Sequence, residues 1–302
     1  MARNLLILAY HRVLDHEDPI RTGDIQLPDF AAQMKIVSKF FNPVSLSRAA
    51  SELANGTLPP RSVAVTFDDG YADNLTVALP VLRAFDIPAT VFVATGFIDG
   101  GTMWNDKVIE TLLASAGGVL DLRDVGLDQV DLTDESLLAD AASRLLGELK
   151  YMDAANREEI AGRIAERIDE SARRQLMLST SQLRELHDAG VDIGAHTVSH
   201  PILASLDSER ARREIRESKQ FLESHLGSEV SCFAYPNGRP GIDYDSSHVD
   251  MVREAGFKAA VATCSGIATG ASDALQLPRF GPWGENPLKF FARVLSMHWR
   301  PA

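Results

Sequence analysis

The feature that most limits the fold is a repeated unit: a short apolar run rich in β-branched residues, a polar break, then a helical pattern. The runs are LLILAY (5–10), SVAVTF (62–67), ATVFVAT (89–95), VDIGA (191–195), VSCFAY (230–235) and FKAAVAT (257–263), with NPVS (42–45) a weaker seventh. Between them, apolar residues recur at helical spacing in DFAAQMKIVSKF (29–40), NLTVALPVLRAF (74–85), ERARREIRESKQFLESHL (209–226) and SHVDMVREAG (247–256). Continuously apolar strands belong in a parallel sheet covered on both faces, with helices as the crossovers. Six or seven such units predict a closed or nearly closed β/α barrel. A doubly wound open sheet fits the same pattern.

Residues 103–178 break the rhythm. WNDKVIETLLASA, DESLLADAASRLLGELKYM and NREEIAGRIAERIDESA read as helices, with Asp134 and Asp153 as N-terminal caps and no evident strand. This predicts one domain over 1–302 with a helical insertion at about 103–178, either a solvated excursion or a lid over the barrel mouth.

With 42 acidic against 30 basic side chains, the net charge of −12 lacks the basic footprint that nucleic-acid phosphates require. The opening apolar run is too short for a signal peptide and has no small-residue cleavage site after it. No stretch approaches the ~18 apolar residues of a membrane helix, so the chain as given is expected to be soluble and cytoplasmic. Cys232 and Cys264 are no disulfide framework; two reduced, partly buried thiols are expected.

The strand ends carry the candidate chemistry. His11 follows the first run, Asp68-Asp69-Gly70 the run at 62–67, His196 the run at 191–195 and Pro236-Asn237-Gly238 the run at 230–235. In β/α barrels the loops after the strand C-termini build the site, so these distant residues can converge on one mouth. Asp-Asp-Gly by itself is a common turn. Chemistry would use the pair differently: one carboxylate holds a metal, its neighbour takes a proton from water, and the cation relieves their repulsion. His196 and His200, four apart and followed by Pro201, suit a loop or helix terminus in which both imidazoles face one point. A His-His-Asp set leaves coordination positions for water, the pattern of a catalytic metal site. The Pro-Asn-Gly turn needs no function, yet beside a metal it can offer a backbone N–H to a developing oxyanion. His298, on an amphipathic segment near the C-terminus, rivals His11 as a catalytic imidazole.

Together TFDDG (66–70), HTVSH (196–200) and FAYPNG (233–238), in that order, resemble the polysaccharide deacetylase family, the NodB-type enzymes of carbohydrate esterase family 4. The resemblance covers most of the chain outside the insertion. It implies an α/β fold, a distorted (β/α)7 TIM-like barrel, in keeping with the count of runs. The implied activity is metal-dependent removal of N-acetyl groups from amino sugars of a polysaccharide or its precursor. The resemblance implies Asp68 as general base and Asp69, His196 and His200 as ligands of a divalent metal. Zinc (Zn2+) is the expected ion, with cobalt, nickel, manganese and iron as alternatives.

The family's third motif reads Arg-x-Pro-Tyr-Gly; here Ala234 stands at the arginine position and Asn237 at the tyrosine position. The tyrosine serves through its backbone N–H, so Asn237 can substitute as the oxyanion donor. Tyr235 and Pro236 of the same motif are expected to contact substrate. The arginine that steadies the catalytic aspartate is missing, and Arg279, in LQLPRFGPW, is the expected replacement. The family's last motif, Leu-x-His near the C-terminus, supplies the general acid. LILAYH at the front looks like that motif relocated, the permuted order of exopolysaccharide deacetylases of biofilm matrices, which makes His11 the expected acid in preference to His298. Trp104 and Trp283 are candidate sugar-stacking platforms. The expected partner is an N-acetylated amino sugar. Two rival readings stay open: a metal amidohydrolase on a lipid-linked sugar or small ureide, and a non-catalytic carbohydrate-binding relative.

Overall fold

The structure, a computed structural model, describes residues 3–169, 174–282 and 286–299. Each apolar run supplies a strand of one parallel sheet: β1 (Leu5–Tyr10), β2 (Asn42–Pro43), β3 (Ser62–Phe67), β4 (Ala89–Val93), β5 (Asp192–Ala195), β6 (Cys232–Ala234) and β7 (Ala259–Val261). The order is β1-β3-β4-β5-β6-β7. One edge of β3 pairs with β1 along its whole length, Leu5 with Ser62 through Tyr10 with Phe67. The other edge is shared: β2 takes Ser62 and Val63, and β4 takes Val65 to Phe67.

Residues 277–280 bridge the gap between β7 and β1. Leu277 N donates to Ala260 O (2.8 Å) and Ala262 N to Leu277 O (2.9 Å); Phe280 N donates to Ile7 O (2.8 Å) and Ala9 N to Phe280 O (2.9 Å). The sheet therefore curls into a distorted barrel and is not the doubly wound open alternative.

The helices are α1 (Leu27–Phe40), α2 (Leu46–Ala54), α3 (Leu79–Ala84), α4 (Trp104–Ala114), α5 (Leu138–Lys150), α6 (Ala154–Ala165), α7 (Thr180–Asp188), α8 (Ser208–Leu226), α9 (Ser246–Glu254) and α10 (Pro287–Trp299). Local chemistry sets their ends. Ser179 and Gln182 form a capping box at α7, and Asp245 with His248 does so at α9. Asp207 accepts from Arg210 N at the start of α8, which stops at Gly227 in the left-handed conformation (φ 64°).

Successive strand side chains alternate between the two faces. Leu5, Ile7, Ala64, Phe92, Cys232, Ala234, Val261 and Leu277 fill the barrel interior, together with Leu46, Ala49 and Leu53 of α2. The opposite parity, including Leu6, Leu8, Val63, Val65, Val91 and Val93, packs outward against Phe30, Met34 and Val37 of α1 and Ile215 and Leu222 of α8. Each such large side chain contributes about 2 kcal/mol on burial. Cys232 is buried, and neither it nor Cys264 is in a disulfide.

The chain divides into two compact units: Met1–His16 with Asp24–Asp99 and Met177–Ala302, and Glu17–Gly23 with Gly100–Leu176. The second unit overlaps the segment 103–178 read as helical from the sequence and differs from that reading in two respects. It contains a short antiparallel pair, Val119–Leu120 with Val130–Asp131, where only helices were expected. Two-residue strands are too short for a period-two pattern to register. It also takes in Glu17–Gly23, anchored by Arg21, which donates to the carboxylates of Asp18 (2.9 Å), Asp106 (2.8 Å) and Glu110 (2.9 Å). Asp134 accepts from Ser136 N, and Asp153 from Ala155 N and Asn156 N, the two expected caps. No helix among the described residues is long and apolar enough to cross a membrane.

Candidate active site

Interior parity, continued past the strand ends, delivers the site. Ala64 and Thr66 lead to Asp68, Gly194 leads to His196, Leu277 to Arg279, and Ile7 and Ala9 to His11. Phe92 forms the floor. A Cβ on residue 194 would lie 2.4 Å from Phe92 Cδ1, so β5 needs glycine two residues before His196. The Arg279 guanidinium lies 5.9 Å from the centre of the Phe92 ring.

Arg279 spends its donors on fixed partners. One terminal nitrogen donates to Asp68 Oδ1 (2.7 Å) and the other to Asp68 Oδ2 (2.6 Å), a bidentate pair in which both residues are 4% exposed. Further bonds run to Thr66 Oγ1 (3.3 Å) and Ala262 O (3.3 Å). Thr66 in turn donates to Leu8 O (2.8 Å), which fixes its hydroxyl against β1. Burial pushes the Asp68 carboxyl up, but the Arg279 charge and hydrogen bonds, with His196 and His11, outweigh it and hold Asp68 below the usual carboxylate range.

Asp69, His196 and His200 face one another. Asp69 Oδ1 lies 3.4 Å from each Nε2, and the two rings are 4.7 Å apart at 60°. His196 Nδ1 donates to Ala234 O (2.8 Å), which turns its Nε2 towards Asp69. Asp69 Oδ1 is buried without a hydrogen-bond partner. An orphaned carboxylate oxygen opposed by two imidazole nitrogens suits a divalent cation, which needs three lone pairs aimed at one point. The electrostatics agree. Burial alone would raise Asp69, but the imidazoles of His196, His200 and His11 around it outweigh burial and hold it far below the usual carboxylate range. Burial pushes His200 down to about 4, leaving it neutral. His196 moves the other way, its burial outweighed by Asp69 and Asp68.

The backbone is bent to make this set. Asp69 (φ 76°), Thr197 (φ 65°), His200 (φ 53°) and Asn237 (φ 58°) all sit in the left-handed region, at a cost of order 1 kcal/mol each. Asparagine is among the residues that best tolerate that conformation, which suits Asn237 to the Pro-Asn-Gly turn. His11 is half-buried and near enough for its charge to lower both aspartates. Its strand end is clamped to the Asp68 segment: Asn74 Nδ2 donates to His11 O (2.9 Å), and Arg12 Nε to Asp73 Oδ2 (2.7 Å). Asn74 opens a turn of π-helix over Asn74–Ala78, a distortion common beside functional sites.

The structure thus brings Asp68, Asp69, His196, His200 and Arg279 together, with His11 in electrostatic reach. Other expectations need correction. Tyr235 is 1% exposed; its hydroxyl donates to Leu275 O (3.0 Å) and its ring stacks on Tyr244 at 3.8 Å. Residue 235 has the opposite parity to Ala234 and so enters the outer core, not the substrate site. Pro236 is buried in the turn. Trp104 begins α4 in the inserted unit, packed against that unit's own core with Arg157 over its ring at 5.0 Å, so one stacking face is already taken. Trp283 lies outside the described residues. His298 stacks on Phe41 at 5.6 Å between α10 and the end of α1, as a packing residue. Sequence reasoning missed Asp73, which acts through Arg12, 61 residues away, and carries no local mark. It also missed Glu214, which accepts hydrogen bonds from the His196–His200 loop and looks like any other charge on α8.

The sequence model for polysaccharide deacetylases matches residues 55–131 and 148–260. The chain belongs to the polysaccharide deacetylase family. The matched residues include Asp68, Asp69, His196, His200 and Asn237, while His11 and Arg279 fall outside them. YxkH of Bacillus subtilis (strain 168), whose name places it among polysaccharide deacetylases, is 20% identical over 269 residues, 88% of this chain. The chain spans 66% of the length of that relative. Among solved structures, the Streptococcus pyogenes deacetylase PplD in complex with acetate superposes with a TM-score of 0.66 at 21% identity, covering 100% of both chains. IcaB from Ammonifex degensii gives 0.62 at 20% identity, covering 97% of both. These likenesses establish the family's barrel fold for this chain.

Proposed function

We propose that this deacetylase-family member is a divalent-cation-dependent hydrolase that removes N-acetyl groups from amino sugars of a polysaccharide or its precursor. The observation that carries the reading is the buried, unpartnered Asp69 Oδ1 facing His196 and His200, directly beside an Asp68 held ionised by Arg279. Asp69, His196 and His200 would hold the cation, zinc by the nitrogen-rich ligand set. When bound there, a divalent cation supplies Lewis acidity, polarising the acyl carbonyl and acidifying the attacking water to a pKa near ~7.

The chain's own residues do the rest. Asp68 takes the proton of the attacking water; Arg279 keeps that carboxylate ionised and fixes its direction. The Asn237 N–H, in its left-handed turn, donates to the oxyanion that develops on the carbonyl oxygen, a contribution of about 3 kcal/mol in comparable sites. His11, on the strand end clamped by Arg12–Asp73, protonates the departing amine.

The test is acetate release from an N-acetylated amino-sugar polymer, beside lipid-linked and free N-acetyl sugars, together with elemental analysis of the protein. About one equivalent of divalent metal is expected in the wild type and in Asp68→Asn, with turnover reduced 10²–10⁴-fold in that variant. Asp69→Ala should lose both metal and turnover. Near-normal activity of Asp68→Asn, or no metal in the wild type, would overturn the proposal.

A further inference from the structure

The loop from His196 to His200 is held on two sides by two kinds of bond. On one side its carbonyls accept: Thr95 N donates to Thr197 O (3.1 Å) and Gly96 N to Val198 O (2.8 Å). That side has no slack, since a Cβ on residue 96 would lie 2.8 Å from Val198 O. On the other side its N–H groups donate to one side chain of α8. Glu214 Oε2 accepts from Val198 N and from Ser199 N, both at 2.8 Å, and Oε1 accepts from Ser199 Oγ at 2.6 Å. Two successive N–H groups on one carboxylate oxygen form an anion nest, and the charge shortens and strengthens each bond.

The loop needs this hold. Thr197 and His200 are both left-handed, at φ 65° and 53°, and His200 N donates to Thr197 Oγ1 at 3.1 Å within the loop. Relaxation of either residue swings His200 Nε2 away from Asp69 Oδ1. Nothing in the chemistry above uses Glu214, and it does not touch the reacting centre.

We infer that Glu214 is a positioning residue for the candidate metal site: by pinning Val198 and Ser199 it sets the His200 imidazole against Asp69 and His196, and so sets the affinity and coordination geometry of a bound cation. This rests on the metal reading proposed above. Loss of an outer partner of this kind weakens metal binding roughly 10–100-fold. A glutamine at 214 keeps an oxygen for the two backbone N–H groups, whereas alanine keeps none.

The test uses the full chain as wild type, Glu214→Ala, Glu214→Gln and Ser199→Ala. Three quantities are read: the Co2+ and Zn2+ Kd by chelator competition, the visible absorption of bound Co2+, and the melting temperature of the metal-free protein. Glu214→Ala should raise Kd by roughly 10–100-fold and alter the Co2+ spectrum, while the metal-free protein melts within a few degrees of wild type. Glu214→Gln should recover most of the affinity, and Ser199→Ala, which removes one of three bonds, should show a smaller rise. If alanine prevents folding, the glutamine and Ser199 variants decide the matter. Wild-type Kd and spectrum in every folded variant would overturn the inference and leave the metal site standing. So would an affinity loss matched by an equal loss of metal-free stability, the mark of a merely structural residue. A wild type that binds no divalent cation would overturn the metal reading and this inference together.

Discussion

Replacing Arg279 with leucine leaves the Asp68 carboxylate 4% exposed in the barrel mouth without the guanidinium that binds both its oxygens. Removing one partner of a buried ion pair costs about 3–5 kcal/mol, much of it the price of the stranded charge. Asp68→Asn strands the arginine in turn, less severely, because the amide oxygen still accepts one bond. The double variant buries neither an unmatched anion nor an unmatched cation, so its cost should fall short of the summed single costs by about 2–3 kcal/mol. In a folding unit of this size 1 kcal/mol moves Tm by about 2–4 °C, so Arg279→Leu should lower Tm by roughly 10 °C. The measurement is thermal unfolding of all four proteins by circular dichroism and calorimetry, with chelator present so that metal linkage does not enter. Additivity within about 0.5 kcal/mol, or an Arg279→Leu protein that melts with the wild type, would refute the derived pairing.

Gly194→Ala should destabilise by about 1–3 kcal/mol because its methyl meets Phe92, and adding Phe92→Leu should recover part of the loss; a single variant that melts like wild type would remove Phe92 from the floor. His298 offers a pH test away from the site. Burial, with a smaller effect from Arg61, pushes it from 6.5 down to about 4, so it is neutral in the folded chain. A depressed folded value means that stability is intact above about 6.5 and is lost as pH falls towards 4. Allowing for the ring's partial access to water, the loss is about 1–2 kcal/mol. His298→Phe should therefore gain on wild type in Tm as pH drops from 7 to 4.5, and parallel curves for the two proteins would count against the burial argument.

How much of this could be read in advance differs from residue to residue. Asp68, Asp69, His196 and His200 were legible only in combination: Asp-Asp-Gly alone is a common turn, but beside two histidines four apart after another apolar strand it completes a ligand set. Tyr235 follows Ala234 directly, and one residue along a strand changes the face, so its place in the motif does not put it in the mouth. Asp73 and Glu214 act across elements, Glu214 from a helix and Asp73 through Arg12, and no local pattern marks such a partner. The short antiparallel pair in the insertion, and the recruitment of Glu17–Gly23 by Arg21, are likewise long-range outcomes.

Burial on both faces forces a continuous apolar run, so the sequence by itself determined the strands of the parallel sheet and, through the polar break after each run, the mouth-facing aspartates and histidines. Only the curled sheet puts residues 277–280 in the gap between β7 and β1, and so sets Arg279, the replacement the resemblance led one to expect, on Asp68, 211 positions away. Tertiary structure also decided that Phe92 needs glycine at 194 and that Glu214 holds the histidine loop. The physical reason is range. Strand periodicity and turn chemistry act over a few residues and leave a local trace, whereas an ion pair or a close approach across the barrel is fixed only once the whole sheet has curled.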